Sequence, residues 1–197
     1  MKVFSYVVAR DFGFAPNPFH GVCTLATCKP KIRARAEIGD YVVGTGSARF
    51  SRAGRLVYWM RISATHTFDE YWCGPQFERK KPNLHGSLKQ AYGDNIYRQG
   101  PSGRWLQAPS HHSLPNGSPN PKNVKHDTQA SRVLIGSDFA YWGGSGPRVP
   151  ARFQCFCAGR GYKSRFPEAL VRNFVAWLQA NEDRGCVGIP FEWSRRV

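Results

Sequence analysis

The sequence predicts an α+β protein: a small, mostly antiparallel β-barrel with peripheral helices and one long inserted loop region. Three observations support this class. Strand patterns follow one another early in the chain, residues 73–130 show no long periodic pattern, and the one clear helical pattern lies near the end. Because β-α-β alternation is missing, a parallel sheet covered by helices is not expected.

The chain opens with a strand pattern. Residues 2–9, KVFSYVVA, place apolar side chains on both sides of an extended chain, which predicts a strand with two partly buried faces. Residues 11–21 are punctuated by Gly and Pro and indicate a loop. Residues 22–28 fit either a short strand or a helical turn, and Pro30 limits any helix there.

Two further strands are expected at residues 38–44 and 55–63, joined by a turn. A short helix is predicted to begin at Phe68. Thr67 precedes it and Glu70 follows three residues later, which is the spacing of a capping box.

The long segment at residues 73–130 is dominated by Pro, Gly, Asn, Ser and Lys. A stretch of this length without regular elements is uncommon in a compact domain unless it is a binding loop or a lid, so we expect an inserted loop or lid region. It carries Tyr92, Tyr97 and Trp105. These aromatic side chains either anchor the segment to the body of the protein or contact a ligand.

Order is predicted to return near the end of the chain. Residues 132–144 indicate a strand that is interrupted at Ser137-Asp138, and residues 166–184 indicate a C-terminal packing helix that stops at Gly185. The helix carries one apolar stripe, which consists of Leu170, Phe174, Trp177 and Leu178. Such a stripe is typical of core packing, and residues 1–197 are predicted to form a single domain.

Charge is the strongest indication of a partner. Lys and Arg number 28 against 13 Asp and Glu, which gives a net charge of +15. Such a charge attracts polyanions, so we expect DNA or RNA as the partner, although basic charge can also serve solubility alone. No apolar run reaches the length of a membrane span and no signal-peptide pattern is found, so no membrane partner and a cytoplasmic protein are expected.

The six cysteines fit neither a disulfide framework nor a zinc site. They are separated by C-x4-C and C-x-C spacings, whereas structural zinc sites usually show C-x2-C pairs. We therefore expect buried free thiols, no metal and no cofactor.

No catalytic signature is recognised, and the catalytic residues stay unknown at this level. Nucleophile-elbow, phosphate-loop, dinucleotide, zinc-protease and zinc-deaminase motifs are all missing from the sequence. The acids Asp69, Glu70 and Asp94, with His66 and His112, could assemble a hydrolytic site, but their spacing does not show one. An Asp-Glu pair also commonly begins a helix for dipole reasons.

Three long stretches carry a family resemblance: KVFSYVVARDFGFAPNPFHGVCTLATCKPKIR, IGDYVVGTGS and GRLVYWMRISATHTFDEYW. With GDNIYR and VLIGSDFAYWG, they resemble the second nucleotide-modification-associated domain family, from residue 2 to about residue 143. The resemblance implies a bacterial or phage protein of a DNA base-modification, hypermodification, restriction or defence system, with partner proteins from that system. It carries no reaction and no catalytic residues.

A second, shorter resemblance concerns architecture. The order of strand, loop, Gly-Asp turn and a strand that ends in hydroxyl residues looks like the PUA-like group, which includes EVE and YTH domains. Such domains hold a flipped, modified base in a pocket. The resemblance implies that residues 20–27 form one pocket wall and that Thr45 and Ser47 form another, while the insertion at 73–130 departs from the group's pattern.

Candidate site residues follow from these observations. The expected base pocket comprises Asn17, Thr24, Thr45, Ser47, Trp72, Asn95, Tyr97 and Trp105, and the expected phosphate-binding segment comprises Lys29, Lys31, Arg33 and Arg35. The leading interpretation is a binding module for a modified or flipped base. The alternatives are an enzyme acting on a base or nucleotide, such as a glycosylase, nuclease or transferase, and a nucleotide-sensing interaction subunit.

Overall fold

The computed structural model describes residues 1–157 and 159–193. The chain forms two compact units. The first unit contains Met1–Asp11, Ala36–Ser63 and the described residues from Gly136 onward; the second contains Phe12–Arg35 and Ala64–Ile135. The chain therefore passes from the first unit into the second and back again twice. The single-domain prediction stays a prediction.

Strands and short helices alternate along the chain. The strands are β1 (Val3–Val8), β2 (Cys23–Leu25), β3 (Tyr41–Gly46), β4 (Leu56–Arg61), β5 (Ala64–Thr67), β6 (Tyr97–Gln99), β7 (Trp105–Gln107), β8 (Arg132–Gly136), β9 (Asp138–Tyr141), β10 (Tyr162–Lys163) and β11 (Gly185–Cys186). The α-helices are α1 (Pro30–Arg33), α2 (Phe68–Cys73), α3 (Leu88–Ala91), α4 (Pro121–Asp127) and α5 (Glu168–Gln179). Short 3-10 helices cover Ala48–Phe50, Pro75–Lys80, Gly143–Ser145 and Ala151–Phe156.

The first unit is built on a six-stranded sheet in the order β10-β1-β3-β4-β9-β11. The β1–β3 and β9–β11 pairs are parallel, and the other pairs are antiparallel. The β3–β4 register shifts between Gly44 and Thr45. Gly44 is required there, because a Cβ atom would lie 2.4 Å from the Tyr58 ring.

The α+β class is confirmed, with a core that is mostly sheet and few helices. Among residues 1–157 and 159–193, the strands do not close into a barrel: β10 and β11 stand at opposite ends of the sheet order. Each of these end strands is two residues long, which is too short to continue the sheet round to closure. Three of the five strand pairs in this sheet are antiparallel and two are parallel.

Helix α5 packs on this sheet through its apolar stripe. Phe174 is fully buried and stacks on Phe156 with ring centroids 3.9 Å apart, and Leu170 and Trp177 lie partly buried against the same cluster. Helix α5 places Val171, Phe174, Val175 and Leu178 in the core cluster of the first unit. It ends at Gln179, earlier than expected, since the Asn181 side chain accepts the Asp183 backbone N–H at 2.8 Å and competes with a further helical turn.

The second unit has a three-stranded sheet, β2-β8-β5, and a β6–β7 hairpin. The predicted capping box of α2 is confirmed: Glu70 N donates to Thr67 Oγ1 at 3.2 Å, and Thr67 N donates to Glu70 Oε2 at 2.7 Å. Residues 22–28 contain strand β2, and Pro30 begins helix α1 rather than limiting it.

The segment at residues 73–130 is organised rather than irregular. It contains a 3-10 helix, α3, the β6–β7 hairpin and α4. Phe68 meets Tyr97 and Trp105 edge to face, with ring centroids 5.5 and 5.3 Å away. These contacts account for both aromatic side chains as anchors within the second unit.

No helix among the described residues is long and apolar enough to cross a membrane.

Candidate active site around Cys28

Cys28 lies at a sharp turn between a strand and a helix in the second unit. β2 ends at Leu25, and α1 begins at Pro30. Between them Cys28 and Lys29 have φ angles of 55° and 42°, so two successive residues with side chains occupy the left-handed region. This backbone is strained for such residues and is kept only where its surroundings enforce it. A strand–turn–helix of this kind presents its central side chain prominently, as in nucleophile elbows.

Arg33 holds the turn from within. Its Nε donates to the Cys28 carbonyl at 2.9 Å, and its other nitrogens donate to the carbonyls of Ala130, Arg132 and Asp127. The side chain is fully buried, and burial lowers its pKa to about 10 despite the neighbouring Asp127 charge. Arg33 therefore joins the Cys28 turn to the end of α4 and to the start of β8.

Cys28, His112 and Asp127 form a linear arrangement of thiol, imidazole and carboxylate. Cys28 Sγ lies 3.8 Å from His112 Nε2, and His112 Nδ1 lies 2.9 Å from Asp127 Oδ2. The His112 side chain is 16% exposed and that of Asp127 is 1% exposed. One imidazole nitrogen thus faces the sulfur while the other is fixed by a buried carboxylate, which is the geometry of an activated nucleophile.

Asp127 is fixed on both oxygens. Oδ1 accepts the Cys28 backbone N–H at 2.8 Å, and Oδ2 also accepts the Tyr97 hydroxyl at 2.9 Å. Burial acts to raise the pKa of Asp127, but the hydrogen bonds and charge of His112 and the Tyr97 hydrogen bond outweigh it and lower that pKa. The carboxylate is therefore ionised and oriented toward the imidazole.

The protonation of His112 follows from the same contacts. Burial acts to lower the pKa of His112, but its hydrogen bonds with Asp127 and Cys28 outweigh burial and raise that pKa to about 9. The segment that carries His112 is held by Asn123, whose Nδ2 donates to the His112 carbonyl at 2.8 Å. An imidazolium is thus stabilised beside the sulfur at neutral pH.

An aromatic wall adjoins His112. The Phe14 ring lies 4.6 Å from the His112 ring and 5.4 Å from that of His111, measured between centroids. Phe12 lies 4.6 Å from His111 and stacks on Tyr92 at 5.2 Å. These rings give one side of the candidate site an apolar, π-rich character.

Three of the expected base-pocket residues lie in or beside a buried polar network of the second unit. Lys80 Nζ donates to the carbonyl and Oδ1 of Asn17 at 3.0 and 2.8 Å, and to Thr24 Oγ1 at 3.2 Å. Thr24 donates to Asp94 at 2.7 Å, and Asn95 donates to the Tyr71 carbonyl at 2.8 Å. Because Asn17, Thr24 and Asn95 are at most 1% exposed, their bonded groups are used inside the unit.

The other expected pocket residues are spread over both units. In the first unit, Thr45 is 1% exposed and donates to the Tyr6 carbonyl, and Ser47 caps the 3-10 helix Ala48–Phe50. In the second unit, Trp72 is half-buried with Lys81 Nζ 4.4 Å from its ring centroid. Tyr97 is the one residue of the expected pocket whose side chain contacts the Cys28–His112–Asp127 arrangement through a described hydrogen bond.

The four cations of the expected phosphate-binding segment, which includes helix α1, differ in how exposed they are. Lys31 and Arg35 are exposed, whereas Lys29 is half-buried and burial lowers its pKa. Arg33 is fully buried, and its guanidinium is engaged by backbone carbonyls, so it cannot at the same time contact phosphate. The expectation that this segment binds phosphate therefore rests on Lys31 and Arg35.

Sequence reasoning missed the Cys28–His112–Asp127 arrangement. On sequence alone Cys28 belongs to the expected buried free thiols and His112 to the available bases, while Asp127 carries no signal. Cys28 and His112 are separated by 84 positions, so no local spacing connects them. The signal that could have indicated them is the presence of Cys, His and Asp residues together in a chain without a disulfide pattern.

The expected acids have other partners. Glu70 belongs to the capping box of α2, Asp69 accepts the Gln99 backbone N–H at 2.7 Å, and Asp94 lies in the buried network. The expectation for the cysteines is partly wrong: Cys23 is buried, but Cys73, Cys155 and Cys186 are exposed. No group of three or more His, Cys, Asp or Glu side chains suited to a metal occurs in the described part of the chain.

The fold and this site define an α+β protein with a cysteine–histidine–aspartate arrangement of the kind that nucleophilic thiols use. The chain belongs to the nucleotide modification associated domain 2 family, whose model matches residues 1–197. This confirms the predicted family, and it associates the chain with nucleotide modification and thereby with DNA modification systems. A search of curated proteins and a search of solved structures each returned no match.

Proposed function

We propose that this protein is an enzyme of a DNA modification system that acts on a base or nucleotide through a covalent intermediate on Cys28. The single observation that carries the proposal is the alignment of Cys28 Sγ, His112 and Asp127 at 3.8 and 2.9 Å. Family membership supplies the substrate class, since it associates the chain with nucleotide modification.

The chemistry proceeds as two displacements at one transferred group. In the first, Cys28 sulfur reacts as the thiolate and forms a bond to the group, the bond from the group to its donor breaks, and the His112 imidazolium gives its proton to the departing donor. In the second, an amine, hydroxyl or water attacks the group, the neutral His112 takes its proton, and the bond to Cys28 breaks, which restores the thiolate and the imidazolium. No oxidant or reductant is consumed.

Asp127 acts as a positioning residue in this scheme. Its Oδ2 holds the His112 ring so that Nε2 faces sulfur, while its Oδ1 holds the backbone N–H of the nucleophile itself. One carboxylate thus fixes both reacting groups relative to each other, and fixed geometry is a principal source of rate enhancement.

Substrate binding is assigned to cationic and aromatic neighbours of the site. Lys31 and Arg35 follow Cys28 within α1 and just after it, both exposed, and the net charge of +15 favours an anionic substrate. The half-buried Phe12 ring is the aromatic surface against which a base would stack, and the buried Phe14 ring packs on His112 behind it. A modified or flipped base in DNA or RNA remains the proposed substrate, and the enzyme interpretation is preferred to a passive reader because of the aligned thiol.

The test is the reactivity of Cys28 toward iodoacetamide. At pH 7 with limiting reagent, peptide mass mapping should show Cys28 alkylated faster than exposed Cys73, which serves as the internal control. His112→Gln should slow alkylation of Cys28 at least about tenfold, as expected when the base that activates a thiol is lost, and leave Cys73 unchanged.

A second measurement links reactivity to function. Intact-mass spectra after incubation with deoxynucleotide and oligonucleotide preparations from modified DNA should show an adduct that Cys28→Ser lacks. Cys28 that reacts no faster than Cys73, and that is insensitive to His112→Gln in a folded protein, would overturn the proposal.

A further inference from the structure

A basic cleft lies in the second unit, between His20 and residues 78–90 of the segment that was expected to be an irregular loop. Its volume is about 380 Å³, and its lining includes His20, Arg79, Lys81, Lys89 and Glu78. Ligand pockets commonly measure about 300 to 1,000 Å³, so this cleft is large enough for a nucleotide-sized molecule. Nothing in the Cys28 chemistry uses these residues.

Positive charge in the cleft is not neutralised by its own side chains. Glu78 is the one acidic residue of the lining, and its Oε2 accepts from Lys81 Nζ at 2.6 Å. Arg79 and Lys89 are exposed, and neither forms an ion pair with any residue that the structure describes. Three cations thus face one carboxylate, which leaves a net positive cleft.

The pKa of His20 reflects the positive charge of the cleft. Burial, and then the charges of Arg79, Lys80 and Lys89, lower its pKa to about 4, so its imidazole is neutral at physiological pH. Its Nε2 is buried and has no hydrogen-bond partner within residues 1–157 and 159–193. A buried polar atom without a partner is costly unless a ligand or water satisfies it.

We propose that this cleft binds phosphate groups, either of a free nucleotide or of a nucleic-acid backbone. A phosphate oxygen would accept hydrogen bonds from Arg79 and Lys89, and its negative charge would offset the cations that surround His20. The buried Lys80 anchors this wall of the cleft: its Nζ donates to Asn17 Oδ1 and to the Val22 carbonyl, which holds the 3-10 helix Pro75–Lys80 against the chain segment that leads into β2.

This inference goes beyond the proposed function, because phosphate binding in the cleft does not require a nucleophilic Cys28. The two can fail separately. Cys28→Ser should retain phosphate binding, and a cleft variant should retain the iodoacetamide reactivity of Cys28.

The experiment compares two double variants of the full chain. Arg79→Gln/Lys89→Gln removes two cleft cations, and Lys122→Gln/Lys125→Gln removes two exposed cations of the same unit that do not line the cleft. Calorimetry at one fixed salt concentration would measure binding of inorganic pyrophosphate, ADP and a single-stranded oligothymidylate. The cleft variant should bind the recognised probe at least about tenfold more weakly, because two charge-assisted hydrogen-bond donors are lost, and the control variant should bind nearly as wild type does.

The probes separate the two sources of phosphate. Binding of pyrophosphate and ADP that is sensitive to the cleft assigns the site to a free nucleotide, and cleft-sensitive binding of the oligonucleotide alone assigns it to the backbone. As an independent readout, NMR titration of His20 should show its pKa rising when the recognised probe is bound, because an anion offsets the cleft cations. Equal losses in both double variants, or no binding of any probe, would overturn the inference.

Discussion

At the residue scale, buried ionic contacts organise the candidate active site. Asp127 receives three hydrogen bonds, from His112, Tyr97 and the Cys28 backbone, and Arg33 donates to four carbonyls around the same turn. Most of these groups are far from their partners in sequence, yet they contribute to one geometry. Stability and reactivity should therefore depend on the same side chains.

The first prediction concerns pH and His112. Its pKa in the folded protein is about 9 against an ordinary 6.5, so its stabilisation is complete below pH 6.5 and is lost as pH rises through 9. The protonation of His112 therefore contributes at most about 3 kcal/mol to the free energy of unfolding. Denaturant unfolding between pH 6 and 10 should show a fall in the free energy of unfolding that His112→Gln largely removes.

Exposed His85 provides the matched control for this experiment. His85→Gln should reproduce the wild-type pH dependence. A pH profile of His112→Gln that parallels the wild-type profile over the whole range would contradict the assigned role of the His112–Asp127 pair.

The second prediction concerns Arg33 and its neighbour Arg35. Arg33→Ala should lower the free energy of unfolding by about 3 to 5 kcal/mol, because it leaves several buried carbonyls without donors. Arg35 is exposed, and Arg35→Ala should change stability by no more than about 0.5 kcal/mol. Chemical denaturation of both variants measures the contrast, and similar costs for the two would show that Arg33 does not hold the turn.

At the element scale, the β2–α1 connection links the nucleophile to its expected substrate. The strand ends before Cys28, the turn presents the sulfur, and the short helix that follows carries exposed Lys31, with Arg35 just beyond it. The basic segment at residues 29–35 therefore has a buried side and an exposed side. Only the exposed side is suited to contact phosphate.

The third prediction tests that exposed side. Lys31→Glu/Arg35→Glu should weaken DNA binding and reduce the slope of log affinity against log salt by about two, since each phosphate contact on duplex DNA contributes about 0.9. Fluorescence anisotropy with a labelled duplex at several salt concentrations measures the slope. Lys122→Glu/Lys125→Glu is the charge-matched control, and equal slopes for the two variants would argue against a specific phosphate contact by α1.

At the scale of the whole molecule, each unit is held by noncovalent packing in the part of the chain that the structure describes. The first unit has an aromatic and aliphatic core between the sheet and α5, and the second combines β2-β8-β5 with buried polar networks. All six cysteines are free thiols, and no metal-binding cluster occurs among the described residues.

The fourth prediction follows from this organisation. Thermal melts should move by less than about one degree with a chelator or with a reductant, because stabilisation by a metal or disulfide would typically amount to several kcal/mol. Scanning calorimetry with and without each agent measures this. A drop of several degrees with either agent would contradict the prediction and would identify which kind of cross-link is present.

The regular elements before residue 73 could be predicted because their sequence signals are local. Alternation of apolar residues placed β1, β3 and β4 within a few positions, and the Thr67–Glu70 spacing placed the start of α2. The 73–130 segment was missed as structure because its helices are four to seven residues long and its strands three, too short for a periodic pattern to develop. Its order comes from buried contacts, such as those of Asp94 with Thr24 and Tyr71, that join distant positions.

By itself the sequence determined the α+β class, the family, the net charge and the strands that have a clear apolar pattern. Each of these depends on composition, local periodicity or long motifs. Only the tertiary structure decided which polar groups are used for folding and which are left for chemistry. It buried Arg33, Asn17 and Thr24 in internal hydrogen bonds, and it placed His112 and Asp127 next to Cys28 across 84 and 99 positions. The physical reason is that hydrogen bonds and burial depend on proximity in space, and proximity between distant positions is fixed only when the whole chain has packed.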